Sequence, residues 1–305
     1  MTLTRAEFLL SLGFAAGRVA SAGAPVAANP KVLLVVAHPD DEYAFAATVY
    51  RIARELGGTV DQVIITNGEA GYRYSQLAEQ VYHASLTRED VGRLRLPEIR
   101  RRETLAAGRI LGIRKHYFLK QPDTRFTLDA REPLMLWDMA SILNTISRLY
   151  ERERYDFVLT LLPTEDTHGH HKAATILALE AAARLSRGTR PVILGAEPAN
   201  LSDAERDFAG LPEHPETAAW TSAPVFHFDR TAKFGFHDSL SYQIVVNWMI
   251  AEHKSQGLFQ TECNKHDHER FWLFAENEPD ALVRTRHLFD NLRRPSSTVT
   301  ALDRR

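Results

Sequence analysis

The chain has 305 residues, of which 44% are apolar and 25% charged, and its formal net charge is -2. That apolar content supports a sizeable core in one large α/β domain or two small ones, and no basic excess points to nucleic acid or an anionic membrane. A single cysteine, Cys263, excludes an internal disulfide framework and a cysteine-rich zinc site, and reads as a packed, inert thiol.

Arg5 precedes the apolar stretch 8–16, and the small-residue runs Ala20-Ser21-Ala22 and Val26-Ala27-Ala28 follow. This is the pattern of a secretory signal peptide. Residues 1–29 are therefore expected to be an export signal or a disordered start, with a bacterial periplasmic or extracellular location. The alternative is a cytoplasmic protein whose N-terminus is an amphipathic helix. The apolar stretch is too short for a stable bilayer anchor.

The run Lys31-Val32-Leu33-Leu34-Val35-Val36 and Ala37 read as a buried strand over 32–37. Residues 41–56 have helical spacing, ended by Gly57-Gly58, and 60–66 form a second strand before an Asn67-Gly68 turn. Residues 69–97 look irregular, with Tyr72, Tyr74 and Tyr82 among polar neighbours and Pro97 closing the segment. A loop of that length in a compact domain is usually functional. A helix over 98–111 stops at Gly112; a short strand over 116–119 and a helix over 134–153 follow. Then come a strand over 157–162, an Ala-rich helix over 168–185 and a strand over 191–195. Residues 197–220 read as an acidic surface excursion, 225–228 as an edge strand, 239–254 as a helix, 271–275 as a last strand and 293–305 as a loose tail. Repeated βα units predict an α/β, Rossmann-like fold, a mainly parallel sheet with helices on both faces, as one domain over 30–292. The chain lacks Gly-x-Gly-x-x-Gly and a phosphate loop, so this layering does not imply a nucleotide.

Two polar clusters leave strands and enter helices: Ala37-His38-Pro39-Asp40-Asp41-Glu42, and Glu165-Asp166-Thr167-His168-Gly169-His170-His171. In a parallel sheet such exits share one edge, so the clusters can meet. His38 and Asp41 are three apart, within reach of one ion across a turn, and His171 supplies a second imidazole. Two histidines and one carboxylate leave a position for water, the pattern of a catalytic zinc site. Asp40, beside Asp41, suits a general base. His168 is assigned to stabilising an oxyanion or protonating the leaving group, as an imidazolium. His170 is expected to point elsewhere on helical geometry. His253 either lines the pocket rim against substrate or closes a helix C-terminus. Arg100, within Arg100-Arg101-Arg102, has the pattern of a solvated helix face, and His266-Asp267-His268-Glu269 that of a polar turn.

The first cluster followed by His168-x-x-His171 resembles the LmbE-like deacetylases, the PIG-L family. The likeness extends to Thr66-Asn67-Gly68-Glu69-Ala70-Gly71, to Arg100-x-x-Glu103 and to His253-Lys254-Ser255-Gln256, so it covers about residues 31–275. It implies a zinc-dependent enzyme that removes acetyl from N-acetylglucosamine-type substrates. It further implies zinc on His38, Asp41 and His171, Asp40 as base, His168 as electrostatic partner, and substrate contacts from Arg100 and Asp123. One departure stands out: many members carry Asp where this chain has His170. If that Asp orients the first histidine of the pair, Asp166 or Glu165 is expected to substitute.

The expectation is a metal-dependent hydrolase acting on a small-molecule or glycan substrate, with zinc, or ferrous iron, which a two-His, one-carboxylate site also accepts. The rivals are a hydrolase of another amide or ester, and a non-catalytic carbohydrate-binding protein.

Overall fold

The computed structural model describes residues 29–235 and 237–295; the expected export signal over 1–29 therefore lies almost wholly outside the described residues, as does most of the tail. The strands are β1 Lys31–Val36, β2 Thr59–Thr66, β3 Lys115–Gln121, β4 Phe157–Leu161, β5 Val192–Ala199, β6 Phe226–Asp229, β7 Lys233–Phe234, β8 Leu240–Ser241 and β9 His268–Leu273. The helices are α1 Ala46–Tyr50, α2 Glu79–Tyr82, α3 Glu89–Leu111, α4 Arg131–Leu136, α5 Met139–Glu153, α6 Gly169–Ala183, α7 Tyr242–Glu252 and α8 Ala281–Arg293.

Seven strands form one sheet in the order β3-β2-β1-β4-β5-β9-β6. The first five are parallel, while β9 runs antiparallel to β5 and the edge strand β6 antiparallel to β9. This is the mainly parallel α/β architecture expected from the βα repeats. Strand β1 is central, and five of its six residues are buried. Its side chains alternate between faces. Val32, Leu34 and Val36 join Ala107 and Leu111 of α3, Met249 of α7 and Phe289 of α8 in one core layer. Leu33, Val35 and Ala37 join Ile146 of α5 and Ala174 and Leu177 of α6 in the other. The strand order reverses between β1 and β4, and the crevice at that reversal, beyond the strands' carboxyl ends, is where such sheets bind ligands.

Several boundaries differ from expectation. The helix expected over 41–56 is a 3-10 turn Asp41–Phe45, then α1, then a π-helical turn Arg51–Glu55. Helix α3 begins at Glu89 and runs through Pro97, because Glu89 and Asp90 complement its N-terminal dipole and packing holds the residue that lacks a donor. The helix expected over 134–153 is split into α4 and α5: Trp137 is extended, and the Asp138 side chain caps α5 by accepting from the Ser141 amide at 3.0 Å. The strand expected to end at 195 continues to Ala199, because β9 pairs with it. The cluster 266–269 is not wholly a turn: His268 and Glu269 belong to β9, and fully buried Glu269 accepts from the amides of Ala47 and Thr48 and from Arg230. Cys263 is exposed rather than packed. No helix among the described residues is long and apolar enough to cross a membrane.

Candidate metal centre

The β1 exit folds back on itself through Asp41. Its Oδ2 accepts from the amides of Ala37 at 2.9 Å and His38 at 2.8 Å, which directs Oδ1 outward. Asp41 Oδ1 then lies 3.1 Å from His171 Nε2 and 3.7 Å from His38 Nδ1, and those nitrogens are 3.1 Å apart. Zinc bonds of 2.0–2.2 Å in a tetrahedron put ligand atoms about 3.4 Å apart, so these three atoms have the spacing of a shared cation. The Asp41 carboxyl and the His38 and His171 imidazoles therefore form a group that can hold a divalent metal ion. Burial would raise the Asp41 pKa, but His171 and His38 hold the carboxyl well below the usual carboxylate range. His171 Nδ1 is engaged by Thr167 Oγ1 at 3.2 Å, so its outer nitrogen is also placed.

Asp40 occupies the left-handed region, with φ 117°, an uncommon conformation for a non-glycine residue. Its amide donates to Glu42 Oε2 at 3.2 Å and its Oδ2 meets Arg100 Nη2 at 3.0 Å. Burial pushes its pKa up to about 6; Arg100 opposes that shift and the neighbouring Asp41 charge adds to it. Arg100 is buried, not on a solvated face, and it also donates to the carbonyls of Gly68 and Pro39. Gly68 has φ 69°, and a Cβ there would overlap the Arg100 guanidinium, so glycine is required both for the turn and for that approach.

Beneath this turn lies fully buried Glu42, whose Oε1 is 2.8 Å from His253 Nε2. Of the two places expected for His253, it takes the end of α7, but as a buried partner of Glu42. Burial would lower the His253 pKa, yet Glu42 holds it above the ordinary value; Glu42 is correspondingly held low. The motif pieces around Glu103 and Ser255 interlock, since Glu103 accepts from the Ser255 amide and hydroxyl at 2.8 and 2.6 Å. Neither Glu42 nor Glu103 was assigned a task from sequence, although both stand inside quoted motifs.

His168 is the N-cap of α6, and its Nδ1 accepts from the His170 amide at 2.9 Å. Burial, followed by the neighbouring His38, His170 and His171, lowers its pKa to about 2. The imidazolium expected from sequence is therefore replaced by a neutral ring. Because Nδ1 is an acceptor, that ring carries its proton on Nε2. His170 does not point away: its Nδ1 is 3.0 Å from His38 Nε2 and 3.5 Å from Asp123 Oδ1. Asp166 pairs with Arg206, Glu165 is exposed, and His168 Nδ1 is already engaged by the His170 amide, so neither takes the orienting part expected of them. Asp123 is buried and accepts from the Ala70 amide.

A cleft of about 630 Å³ opens above these groups. Its floor carries His38, Asp40, Asp41, His168 and His171, with Asp123 and Arg100 at its side. The segment 69–97, expected to be functional, supplies a wall through the 3-10 turn Glu69–Tyr74, in which Tyr72 is buried with Arg73 and Arg93 over its ring. Phe126, Leu161 and Phe259 make other walls apolar, and Phe126 packs edge-on against His168 at 4.9 Å between centroids.

Residues 33–182 match the family described as GlcNAc-PI de-N-acetylase, PIG-L. Among solved structures, the chain is similar to the N,N'-diacetylchitobiose deacetylase from Pyrococcus horikoshii, with TM-score 0.51 and 18% identity over 81% of this chain and 84% of that one. It is similar to GalB, the 4-carboxy-2-hydroxymuconate hydratase from Pseudomonas putida KT2440, with TM-score 0.51 and 17% identity over 80% and 95%. It is also similar to the A40926 pseudoaglycone deacetylase Dbv21, with TM-score 0.49 and 17% identity over 82% and 99%. No curated protein matches the sequence. The first two likenesses show the fold, and the hydratase among them shows that this fold alone does not name a reaction.

Proposed function

The chain belongs to the PIG-L, LmbE-like deacetylase family, and from that premise we propose that it is a zinc-dependent hydrolase removing the N-acetyl group of an N-acetylglucosamine-type sugar or glycoconjugate. The observation that carries this reading is the meeting of His38 Nδ1, Asp41 Oδ1 and His171 Nε2 at the spacing of cation ligands, with the carboxyl of Asp40 beside them. The family description and the diacetylchitobiose deacetylase support the sugar amide as substrate class.

Zinc, when bound by those three residues, supplies Lewis acidity toward the amide carbonyl and makes water a better nucleophile at neutral pH. Asp40 takes a proton from the attacking water at a carboxylate oxygen, and Arg100 keeps that carboxyl ionised for the purpose. His168 donates its Nε2 proton as a hydrogen bond to the developing oxyanion, which a neutral imidazole can do. Asp40 then passes its proton to the leaving amine, so the net reaction adds one water and releases acetate. Phe126, exposed at the cleft and packed on His168, offers a ring face to a sugar.

Metal analysis of the purified protein, joined to an acetate-release screen over N-acetylglucosamine, N,N'-diacetylchitobiose and non-sugar amides, tests this. The expected result is one zinc per chain and acetate release that a chelator abolishes and zinc restores. Iron as the native metal corrects the cofactor. Turnover of non-sugar amides alone refutes the substrate class. Sugar binding without acetate release by the zinc-loaded protein refutes the enzyme.

A further inference from the structure

A histidine that gives one ring nitrogen to a cation must hold its proton on the other. In His38 the nitrogen facing Asp41 and His171 is Nδ1, so the partner of Nε2 sets both the tautomer and the ring's orientation. That partner is His170, whose Nδ1 lies 3.0 Å away. We propose that His170 is the positioning residue of the cation site: its Nδ1 accepts the Nε2 proton of His38 and so keeps the His38 Nδ1 lone pair directed at the ion. The inference rests on the cation-site reading above and goes beyond it, since His170 was given no part there.

The ring of His170 is well held for this task. It is 1% exposed, its centroid lies 5.2 Å from Trp137 and 4.4 Å from His168, and its amide is bonded to His168 Nδ1. It cannot turn without repacking the start of α6. Accepting at Nδ1 leaves its own proton on Nε2. The Asp123 carboxylate, 3.5 Å from Nδ1, adds negative charge beside the pair without being the acceptor. Partners of this kind are most often carboxylates or carbonyls, which make the ligand more basic. An imidazole is uncharged, so it orients His38 while making it a weaker donor than a carboxylate partner would.

Two variants separate orientation from packing. His170→Leu keeps bulk and removes the acceptor, whereas His170→Asn places an amide oxygen near the position of Nδ1. Zinc affinity is measured by chelator competition, and the His38 tautomer by nitrogen NMR of the zinc-loaded protein. His170→Leu is expected to bind zinc about 10–100-fold more weakly and His170→Asn to stay within about threefold of the parent. In the parent, His38 is expected to be protonated on Nε2. Unchanged affinity in His170→Leu overturns the proposal, as does equal loss in both variants, which assigns His170 to packing. Should His170→Leu not fold, a His38 protonated on Nδ1 in the zinc-loaded parent overturns it independently. A parent that holds no zinc at all overturns the cation-site reading itself, a separable result.

Discussion

Replacing Arg100 by methionine removes the guanidinium that touches the proposed base. Its Nη2 is 3.0 Å from Asp40 Oδ2 and the arginine is 3% exposed, so solvent screens the pair poorly. Unit charges about 4 Å apart at an effective dielectric of about 20 interact by about 4 kcal/mol, which bounds the effect. At 1.36 kcal/mol per unit, that bound is about three pKa units, and arginine neighbours shift carboxyls by about 1–3. Asp40 already stands at about 6 because burial outweighs Arg100. Loss of Arg100 therefore raises it further. The base works only when ionised, so activity disappears as pH falls through this pKa, and the acidic limb must move upward. A shift of about two units leaves roughly a tenth of the base ionised at pH 7 and costs about tenfold in rate there, recovered near pH 9. A bound cation lowers Asp40 in parent and variant alike, so the displacement between the two profiles is the quantity to read. The assay is kcat/KM for acetate release against pH in the zinc-loaded parent, Arg100→Met and Arg100→Lys, the lysine variant retaining most of the limb's position. If Arg100→Met loses activity by one factor at every pH, Arg100 does not tune the base and the reasoning fails.

Gly68→Ala tests the same contact from the other side: its Cβ displaces the Arg100 guanidinium and its backbone must hold φ 69°, at about 1–2 kcal/mol. The acidic limb should move up, by less than in Arg100→Met, with a lower melting temperature; an unmoved limb contradicts the role given to Gly68. Glu269→Ala strands the fully buried Arg230 and the amides of Ala47 and Thr48. Thermal unfolding should show a loss of about 3–5 kcal/mol; a loss under about 1 kcal/mol shows that the pair is not held as described.

The site was legible to the extent that it is local. His38, Asp40 and Asp41 leave an apolar strand, and His168 and His171 leave another, so the parallel order alone brings them to one edge. The direction of His170 was not legible because His168 precedes α6 and His170 is only its second residue. Helical periodicity does not relate side chains across an N-cap. Arg100 was misread for a different reason: its neighbours Arg101 and Arg102 do face solvent, but a single helix position one residue away can face the interior.

By itself, the sequence determined the alternating strands and helices and the paired polar turns, because apolar runs and the residues that end them act over a few positions. Only the tertiary structure decided which nitrogen of His38 meets His170, that Arg100 reaches Asp40, that Glu42 pairs with His253 and that His168 is neutral. Those outcomes depend on α3 and α7 on one face of the sheet and α6 on the other bringing Arg100, His253 and His170 to the β1 exit, where burial and neighbouring charge set each group's proton. The participants are brought together from distant parts of the chain, and no local pattern encodes that electrostatic environment.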